Sequence, residues 1–140
     1  MVSARANTIV IADDFAPFRR FLRLHLHENG FQNVTEASDG LEAVTKAAEL
    51  QPDLVLLDIG MPNLDGIKAA AQIRSVAPEA KILFVSANTD PDIVQSALSD
   101  GARGYVSKSE MGRELLPALE AVLSGKRFVC SECSLNGINL

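Results

Sequence analysis

Three short, continuous runs of apolar residues place the strongest constraint on how this chain folds. They are TIVIA at 8–12, LVLLD at 54–58 and KILFVSA at 81–87, all rich in Val, Ile and Leu. Runs without polar alternation are typical of strands buried on both faces, as in parallel sheets covered by helices. VTEA at 34–37 and GYVSK at 104–108 are weaker runs that fit edge strands. The pattern therefore predicts five strands.

Amphipathic stretches follow each of these runs and predict one helix after every strand. The first helix is expected between Pro17 and the stop at Asn29-Gly30, and the last is expected to end at Gly125 with Pro117 in its first turn. Five strand–helix units joined by right-handed crossovers predict an α/β fold, a parallel sheet with helices on both faces. The segment after Gly125 is expected to be unstructured or to act as a linker.

Length and charge limit the classes of function that this chain can have. A chain of 140 residues fits one domain, which we place at residues 1–125, with 126–140 as a tail or the start of a linker to an output domain. The net charge of −5 argues against direct nucleic-acid contact. Without a membrane-spanning apolar stretch or a signal-peptide pattern, we expect a cytoplasmic protein with no membrane contact.

Charged and polar side chains stand at the ends of several predicted strands. Asp13 and Asp14 follow the first strand, Asp58 ends the third, Ser86 lies near the end of the fourth and Lys108 ends the fifth. Parallel strands bring their carboxyl ends to one edge of a sheet, so these side chains should converge. Gathered carboxylates repel one another unless a cation lies between them. The sequence predicts a divalent metal site, most naturally for Mg²⁺, suited to forming an aspartyl-phosphate at Asp58.

The two cysteines form a single C-x-x-C pair near the end of the chain. Cys130 and Cys133 lack the two further ligands that a metal site needs, since His25 and His27 are expected on the surface of the first helix. A redox role would need the motif at the start of a helix in a thioredoxin-like unit. The favoured interpretation is a polar tail that contains two thiols.

The chain resembles the receiver domains of bacterial two-component response regulators over about residues 7–124. The resemblance is carried by ADD at 12–14, LLDIGMPNLDG at 56–66, VSA at 85–87 and GARGYVSK at 101–108. These motifs occur in the family's order and fall at strand ends. The resemblance implies a doubly wound (βα)5 flavodoxin-like sandwich, with a five-stranded parallel sheet in the order 2-1-3-4-5.

The resemblance also implies a phosphoacceptor site. Asp58 would accept a phosphoryl group from the phosphohistidine of a sensor histidine kinase or a phosphotransfer protein. Asp13, Asp14 and Asp58, with the backbone carbonyl of Gly60, would hold Mg²⁺, which Mn²⁺ or Ca²⁺ can replace. Such a domain is a switch rather than an enzyme, with only slow self-phosphorylation and self-dephosphorylation.

Three further residues match the family's switch. Lys108 matches the lysine that pairs with the phosphoryl group, and Ser86 matches the hydroxyl that turns toward it. Tyr105 matches the aromatic residue that moves inward, reshaping the surface of the fourth helix, fifth strand and fifth helix. Ser109 replaces the proline that follows this lysine in many members. We predict a cis peptide bond between Lys108 and Ser109, with Ser109 as the N-cap of the last helix.

The C-terminal stretch SGKRFV at 124–129 resembles the NarL/FixJ group, in which a tail leads to a DNA-binding helix-turn-helix. The chain is then either the receiver of a longer transcription regulator or a stand-alone receiver, with homodimer formation on phosphorylation expected. Two other classes stay open. An aspartyl-phosphate hydrolase would need a second acid near Asp58, where Gly60 stands instead. A receiver-like interaction module independent of phosphorylation would be expected to lack an acidic residue or the lysine.

Overall fold

The computed structural model describes residues 5–135, without the side chains of Ser134 and Leu135. The strands are β1 (Arg5–Ala12), β2 (Phe31–Ala37), β3 (Leu54–Leu57), β4 (Lys81–Ser86), β5 (Gly104–Ser107) and β6 (Phe128–Val129). The helices are α1 (Ala16–Glu28), α2 (Gly40–Leu50), α3 (Gly66–Val76), α4 (Pro91–Ser99), α5 (Met111–Leu123) and α6 (Ser131–Leu135), with a short 3₁₀ helix at Lys108–Glu110.

The strands form one parallel sheet in the order β2-β1-β3-β4-β5-β6. The predicted α/β fold and the order of the first five strands are confirmed, and the short β6 extends the sheet beyond β5. Ala12 pairs with Leu57 and Leu57 with Phe84, so β1 and β3 end side by side and β4 extends two residues further, to Ser86. The predicted convergence of their carboxyl ends follows from this register.

Two apolar cores lie on opposite faces of the sheet, because successive strand residues point to opposite sides. One core packs α2, α3 and α4 against the sheet around Val10, Val55 and Phe84. The other packs α1 and α5 around Ile11, Leu56 and Val85. Within residues 5–135, no helix is both long enough and apolar enough to cross a membrane.

The segment after Gly125 is not unstructured in its first part, contrary to the prediction. Phe128 and Val129 pair with β5, and Cys130 and Cys133 are fully buried and joined by a disulfide. Two residues of strand and five of helix carry too little periodicity to be seen in a sequence. The predicted tail at 136–140 lies outside the described residues, and the domain boundary at 125 stays a prediction.

The start of α5 also differs from the prediction in three ways. No cis peptide bond occurs among the described residues, so the predicted cis bond between Lys108 and Ser109 is wrong. Glu110, not Ser109, is the N-cap residue of α5 and makes no side-chain cap, while the side chain of Ser107 caps the preceding 3₁₀ turn by accepting from the amide of Ser109. Pro117 lies in the interior of α5 rather than in its first turn, on an exposed position of the helix.

The two histidines of α1, expected on the surface of that helix, are partly buried there. The Nε2 atoms of both His25 and His27 are buried and have no hydrogen-bond partner among the described atoms. The ring of His25 stacks on that of Phe21, with the ring centroids 6.2 Å apart. Both histidines therefore contribute to the packing of α1.

Candidate functional site

The site begins where β1 and β3 end at the carboxyl edge of the sheet. The amide of Asp58 donates to the carbonyl of Ala12 at 3.0 Å, and the amide of Asp13 donates to the carbonyl of Ala37 at 3.2 Å. Backbone hydrogen bonds thus continue the β1–β3 and β1–β2 pairing into the first residue after each strand. The two carboxylates are placed by the sheet itself.

Three carboxylates meet at this edge. Asp13, Asp14 and Asp58 each offer an oxygen, and these oxygens lie within 4.8 Å of one another. Asp13 and Asp58 are 2% and 8% exposed, whereas Asp14 faces solvent. An open group of carboxylate oxygens in reach of water fits a hard divalent cation such as Mg²⁺, which keeps several of its own waters. The arrangement could bind a metal ion, as the sequence predicts.

Lys108 reaches across from the end of β5 to this group. Its Nζ donates to Oδ2 of Asp13 at 2.6 Å and lies 3.4 Å from Oδ2 of Asp58. The same nitrogen sits 4.3 Å from the centroid of the Phe18 ring on α1. The ammonium is therefore held by charge on one side and by an aromatic face on the other. It offsets the repulsion between the two carboxylates.

Burial and neighbouring charges shift the acid–base behaviour of this pair. Burial raises the pKa of Asp58, the nearby Lys108 opposes that shift and the charge of Asp13 adds to it. For Lys108, burial alone would lower the pKa, but the hydrogen bond with Asp13 and the charges of Asp58 and Asp13 outweigh it, so the pKa is raised. Lys108 consequently stays cationic, and ionised Asp58 gains from any further cation at the site.

Local backbone hydrogen bonds fix the orientation of the carboxylates. Oδ1 of Asp13 accepts from the amide of Phe15 at 2.9 Å, and Oδ1 of Asp58 accepts from the amide of Ile59 at 2.8 Å. Arg19 donates from Nη1 to the carbonyl of Asp13 at 2.7 Å. The sequence did not indicate that Phe15, Phe18 and Arg19 support this site. The pattern of apolar residues does not show which side chains or amides contact the end of a neighbouring strand.

The loop from Asp58 to α3 folds back so that its last residues contact its first. Gly66 donates its amide to the carbonyl of Ile59 at 2.7 Å, and a Cβ at Gly66 would overlap the carbonyl of Asp58. A glycine is therefore required where α3 begins. Asp65 caps that helix by accepting from the amide of Lys68. Gly60, predicted as a carbonyl ligand, is an exposed residue of this loop, two positions after Asp58.

Ser86 and Tyr105 belong to a separate group of hydroxyls beside the carboxylates. Oγ of Ser86 accepts from the amide of Asn88 at 3.1 Å, and the hydroxyl of Tyr105 donates to the carbonyl of Asn88. The Tyr105 ring is fully buried, 6.0 Å between centroids from the ring of Phe84. Burial raises the pKa of Tyr105 to about 12, despite an opposing hydrogen bond with Ser86. Both hydroxyls are thus engaged with one loop residue.

A protein-family comparison matches residues 9–120 to the family described as response regulator receiver domain. Among curated proteins, the chemotaxis protein CheY of Bacillus subtilis is 37% identical over 119 residues, which cover 85% of this chain and 99% of CheY. The oxygen regulatory protein NreC of Staphylococcus aureus is 35% identical over 133 residues, which cover 94% of this chain and 61% of NreC.

Solved structures give the same result. A LuxR-family two-component response regulator from Aurantimonas sp. SI85-9A1 superposes with a TM-score of 0.87 at 32% identity, covering 94% of each chain. This chain therefore spans nearly all of CheY and of that structure, but about three fifths of NreC.

Proposed function

Because the chain belongs to the family of response regulator receiver domains, which serve two-component signalling, we propose that Asp58 is its phosphoacceptor. The observation that carries this proposal is the position of Asp58 at the end of the central strand β3, among two further carboxylates and within 3.4 Å of the Lys108 ammonium. A carboxylate in such surroundings can attack phosphorus while neighbouring charges neutralise the transferred group.

The three aspartates differ in how free they are to act as nucleophiles. Asp13 is committed through both oxygens, to Lys108 at 2.6 Å and to the amide of Phe15 at 2.9 Å. Asp58 uses Oδ1 for the amide of Ile59, while among residues 5–135 its Oδ2 has only the longer contact with Lys108. Oδ2 of Asp58 is thus the least engaged oxygen of the two buried carboxylates. It would attack the phosphorus of a sensor kinase phosphohistidine as the P–N bond breaks and the imidazole leaves.

The cluster of three carboxylates fits Mg²⁺, with Mn²⁺ or Ca²⁺ as substitutes. Asp13, Asp14 and Asp58 would hold it, together with the backbone carbonyl of Gly60. When bound, the ion neutralises charge on the phosphoryl oxygens and on the carboxylates. Burial and the charge of Asp13 raise the pKa of Asp58, so a cation bound here would stabilise the ionised form of that carboxylate.

Lys108 and Ser86 would respond to the new phosphoryl group. Lys108 already spans Asp13 and Asp58, so its ammonium needs only a small shift to pair with phosphoryl oxygens on Asp58. The Ser86 hydroxyl, whose oxygen now accepts from the amide of Asn88, can turn to donate its proton to the same oxygens. Tyr105 contacts the carbonyl of Asn88, so a change in that loop reaches the Tyr105 ring and the surface of α4, β5 and α5.

A receiver domain interacts with a sensor kinase, and here we take a histidine kinase or a phosphotransfer protein to be the donor. The phosphorylated surface of α4, β5 and α5 would then act on a partner, on a second copy of the chain, or on a DNA-binding output region. The described residues themselves would contact no nucleic acid. The chain would work in the cytoplasm as a signalling switch, with only slow self-phosphorylation and self-dephosphorylation.

Mass spectrometry of the intact protein, after incubation with Mg²⁺ and acetyl phosphate, tests this proposal. We expect one base-labile phosphoryl group, absent without metal and absent in Asp58→Asn. Asp53→Asn is the matched control, because Asp53 is a carboxylate at the opposite end of β3, and it should keep the group. A protein that binds Mg²⁺ but gains no phosphoryl group would refute the proposal and favour a phosphorylation-independent interaction module.

A further inference from the structure

Cys130 and Cys133 take no part in the phosphoacceptor site, yet the structure gives them a defined place. They form a disulfide between the end of β6 and the first turn of α6. Both are fully buried and belong to the same apolar core as Tyr105 and Val94. The disulfide thus lies inside the core, in a segment too short for sequence patterns to reveal, and its role is separate from that of the phosphoacceptor site.

The disulfide directly follows the strand that covers the free edge of β5. Phe128 pairs with Gly104 and Val129 with Tyr105, and the amide of Cys130 donates to the carbonyl of Tyr105 at 2.8 Å. β6 has only two residues, and an isolated strand of that length has little stability of its own. Phe128 and Val129 are only partly buried against the two cores, so the residues immediately after β6 add to what holds this strand in place.

Few polar contacts secure the segment beyond β6. Ser131 donates to Oε2 of Glu114 on α5, from its amide at 3.3 Å and from its hydroxyl at 2.7 Å. Oγ of Ser109 donates to Glu132 at 2.9 Å. These contacts are exposed and each contributes little, since water competes for the same groups. Within residues 128–133, the buried disulfide is the only covalent cross-link.

We propose that Cys130 and Cys133 are a reversible thiol–disulfide site whose oxidation state determines whether residues 128–135 stay on β5. Reduction by a dithiol transfers two electrons and two protons to the protein, breaking the Cys130–Cys133 bond as a disulfide forms in the reductant. The reverse exchange restores the bond. Reversibility rests in part on the cytoplasmic location proposed above, because disulfides in that compartment are usually transient or redox-sensing.

Burial couples the chemistry to the movement of the segment. Neither sulfur is exposed, so a reductant can reach the bond only when β6 and α6 lift from the sheet. Once the bond is broken, the turn between β6 and α6 loses its covalent restraint and redocking becomes less favourable. The carbonyl of Tyr105 and the β5 edge are then free for part of the time. The redox state of Cys130 and Cys133 thus determines how much of the time the edge of β5, the strand that carries Tyr105, is covered.

Hydrogen exchange with mass-spectrometric detection, on the full chain before and after dithiothreitol treatment without denaturant, tests the proposal. Alkylation counts the thiols in parallel. We expect no free thiols before treatment and two afterwards, with exchange in residues 128–133 accelerated by about tenfold or more. Exchange in β1, β3 and β4 should not change. The double variant Cys130→Ala, Cys133→Ala should exchange like the reduced protein and ignore dithiothreitol.

Three outcomes would overturn the proposal. Two free thiols in protein purified without reductant and exposed to air would show that the bond does not form. A bond that dithiothreitol reduces only in denaturant would show that it is not reversible in the folded state. Unchanged exchange after complete reduction would show that it does not hold the segment. None of these readouts depends on phosphorylation, so they cannot be confused with failure of Asp58 as acceptor.

Discussion

The two parts of the candidate site are held in place by different kinds of interaction. The charged half consists of Asp13, Asp14, Asp58 and Lys108, and its buried members are fixed by strand ends and by ion pairs of 2.6 and 3.4 Å. The hydroxyl half consists of Ser86, Asn88 and Tyr105, and its hydroxyls are fixed by hydrogen bonds to the backbone of Asn88.

The difference indicates a division of labour. Moving a member of the charged half would disturb a buried charge, which is costly unless another charge replaces it. Moving a hydroxyl only exchanges one hydrogen bond for another, and Asn88 is exposed enough for water to take its place. We therefore expect the charged half to control whether a phosphoryl group is accepted, and the hydroxyl half to control what happens afterwards.

The largest effect is expected from neutralising two members of the charged half together. The double variant Asp13→Asn, Asp14→Asn should lower Mg²⁺ affinity and the rate of phosphorylation by acetyl phosphate by at least about a hundredfold, because two of the three acidic ligands are gone. Calorimetry and intact-mass kinetics measure the two quantities. The double variant Asp90→Asn, Asp92→Asn, in exposed carboxylates where α4 begins, is the control. Near-normal affinity in the first variant would remove Asp13 and Asp14 from the metal site.

Removal of the ammonium should act in the opposite direction on metal binding. Lys108→Met frees Oδ2 of Asp13 and of Asp58, so Mg²⁺ affinity should rise by roughly tenfold, since the ion no longer competes with a neighbouring positive charge. Titration calorimetry of the variant measures the change. Lys68→Met removes an exposed lysine paired with Asp65 and should leave affinity unchanged. Weaker binding in Lys108→Met would mean that the lysine organises the carboxylates more than it competes.

A smaller effect follows from the raised pKa of Asp58. Because burial raises this pKa, the folded protein binds the proton more tightly than the unfolded chain, and stability falls as pH rises through the usual carboxyl range. Asp58→Asn cannot ionise, so its melting temperature at neutral pH, in chelator, should exceed the wild-type value by a few degrees. The gain should vanish in acid, where Asp58 is protonated. A variant that melts lower at neutral pH would show that pairing with Lys108 outweighs burial.

The smallest effect is expected in the hydroxyl half. Tyr105→Phe keeps the buried ring and removes the hydrogen bond to the carbonyl of Asn88, so the free energy of unfolding should fall by about 1 kcal/mol. Urea denaturation measures this change, and intact-mass analysis should show the wild-type extent of phosphorylation. If Tyr105→Phe accepted no phosphoryl group, the hydroxyl half would also be needed for phosphorylation, and the division of labour between the two halves would be wrong.

The sequence predicted the site best where the geometry of the sheet determines which residues come together. Continuous apolar runs predicted β1, β3 and β4, and parallel pairing then required Asp13, Asp14 and Asp58 to meet, which they do. The position of Lys108 followed in the same way from β5. These predictions rest on a regular backbone, so they need no knowledge of loops or side-chain rotamers.

The sequence predicted the structure least well where a single local interaction determines the backbone conformation or the position of a short segment. Ser109 does not cap α5 as expected, because the Ser107 hydroxyl caps a 3₁₀ turn that precedes this helix, and the peptide bond between Lys108 and Ser109 is trans. β6 and α6 are too short to show a period, and their place depends on β5 and on a disulfide that residue spacing alone did not establish. The burial of Tyr105 likewise depends on the packing of its ring beside the ring of Phe84 on β4, which the sequence does not show.

A crystal structure with Mg²⁺ and beryllium fluoride, which stands in for a phosphoryl group on a carboxylate, is the sharpest test of Asp58 as the acceptor. We expect the fluoride group on Asp58, metal held by Asp13, Asp14 and Asp58, and both Nζ of Lys108 and Oγ of Ser86 turned toward the fluorides. A fluoride group on another carboxylate, or a Lys108 still paired with Asp13 as it is here at 2.6 Å, would contradict the proposed role of Asp58 and its neighbours.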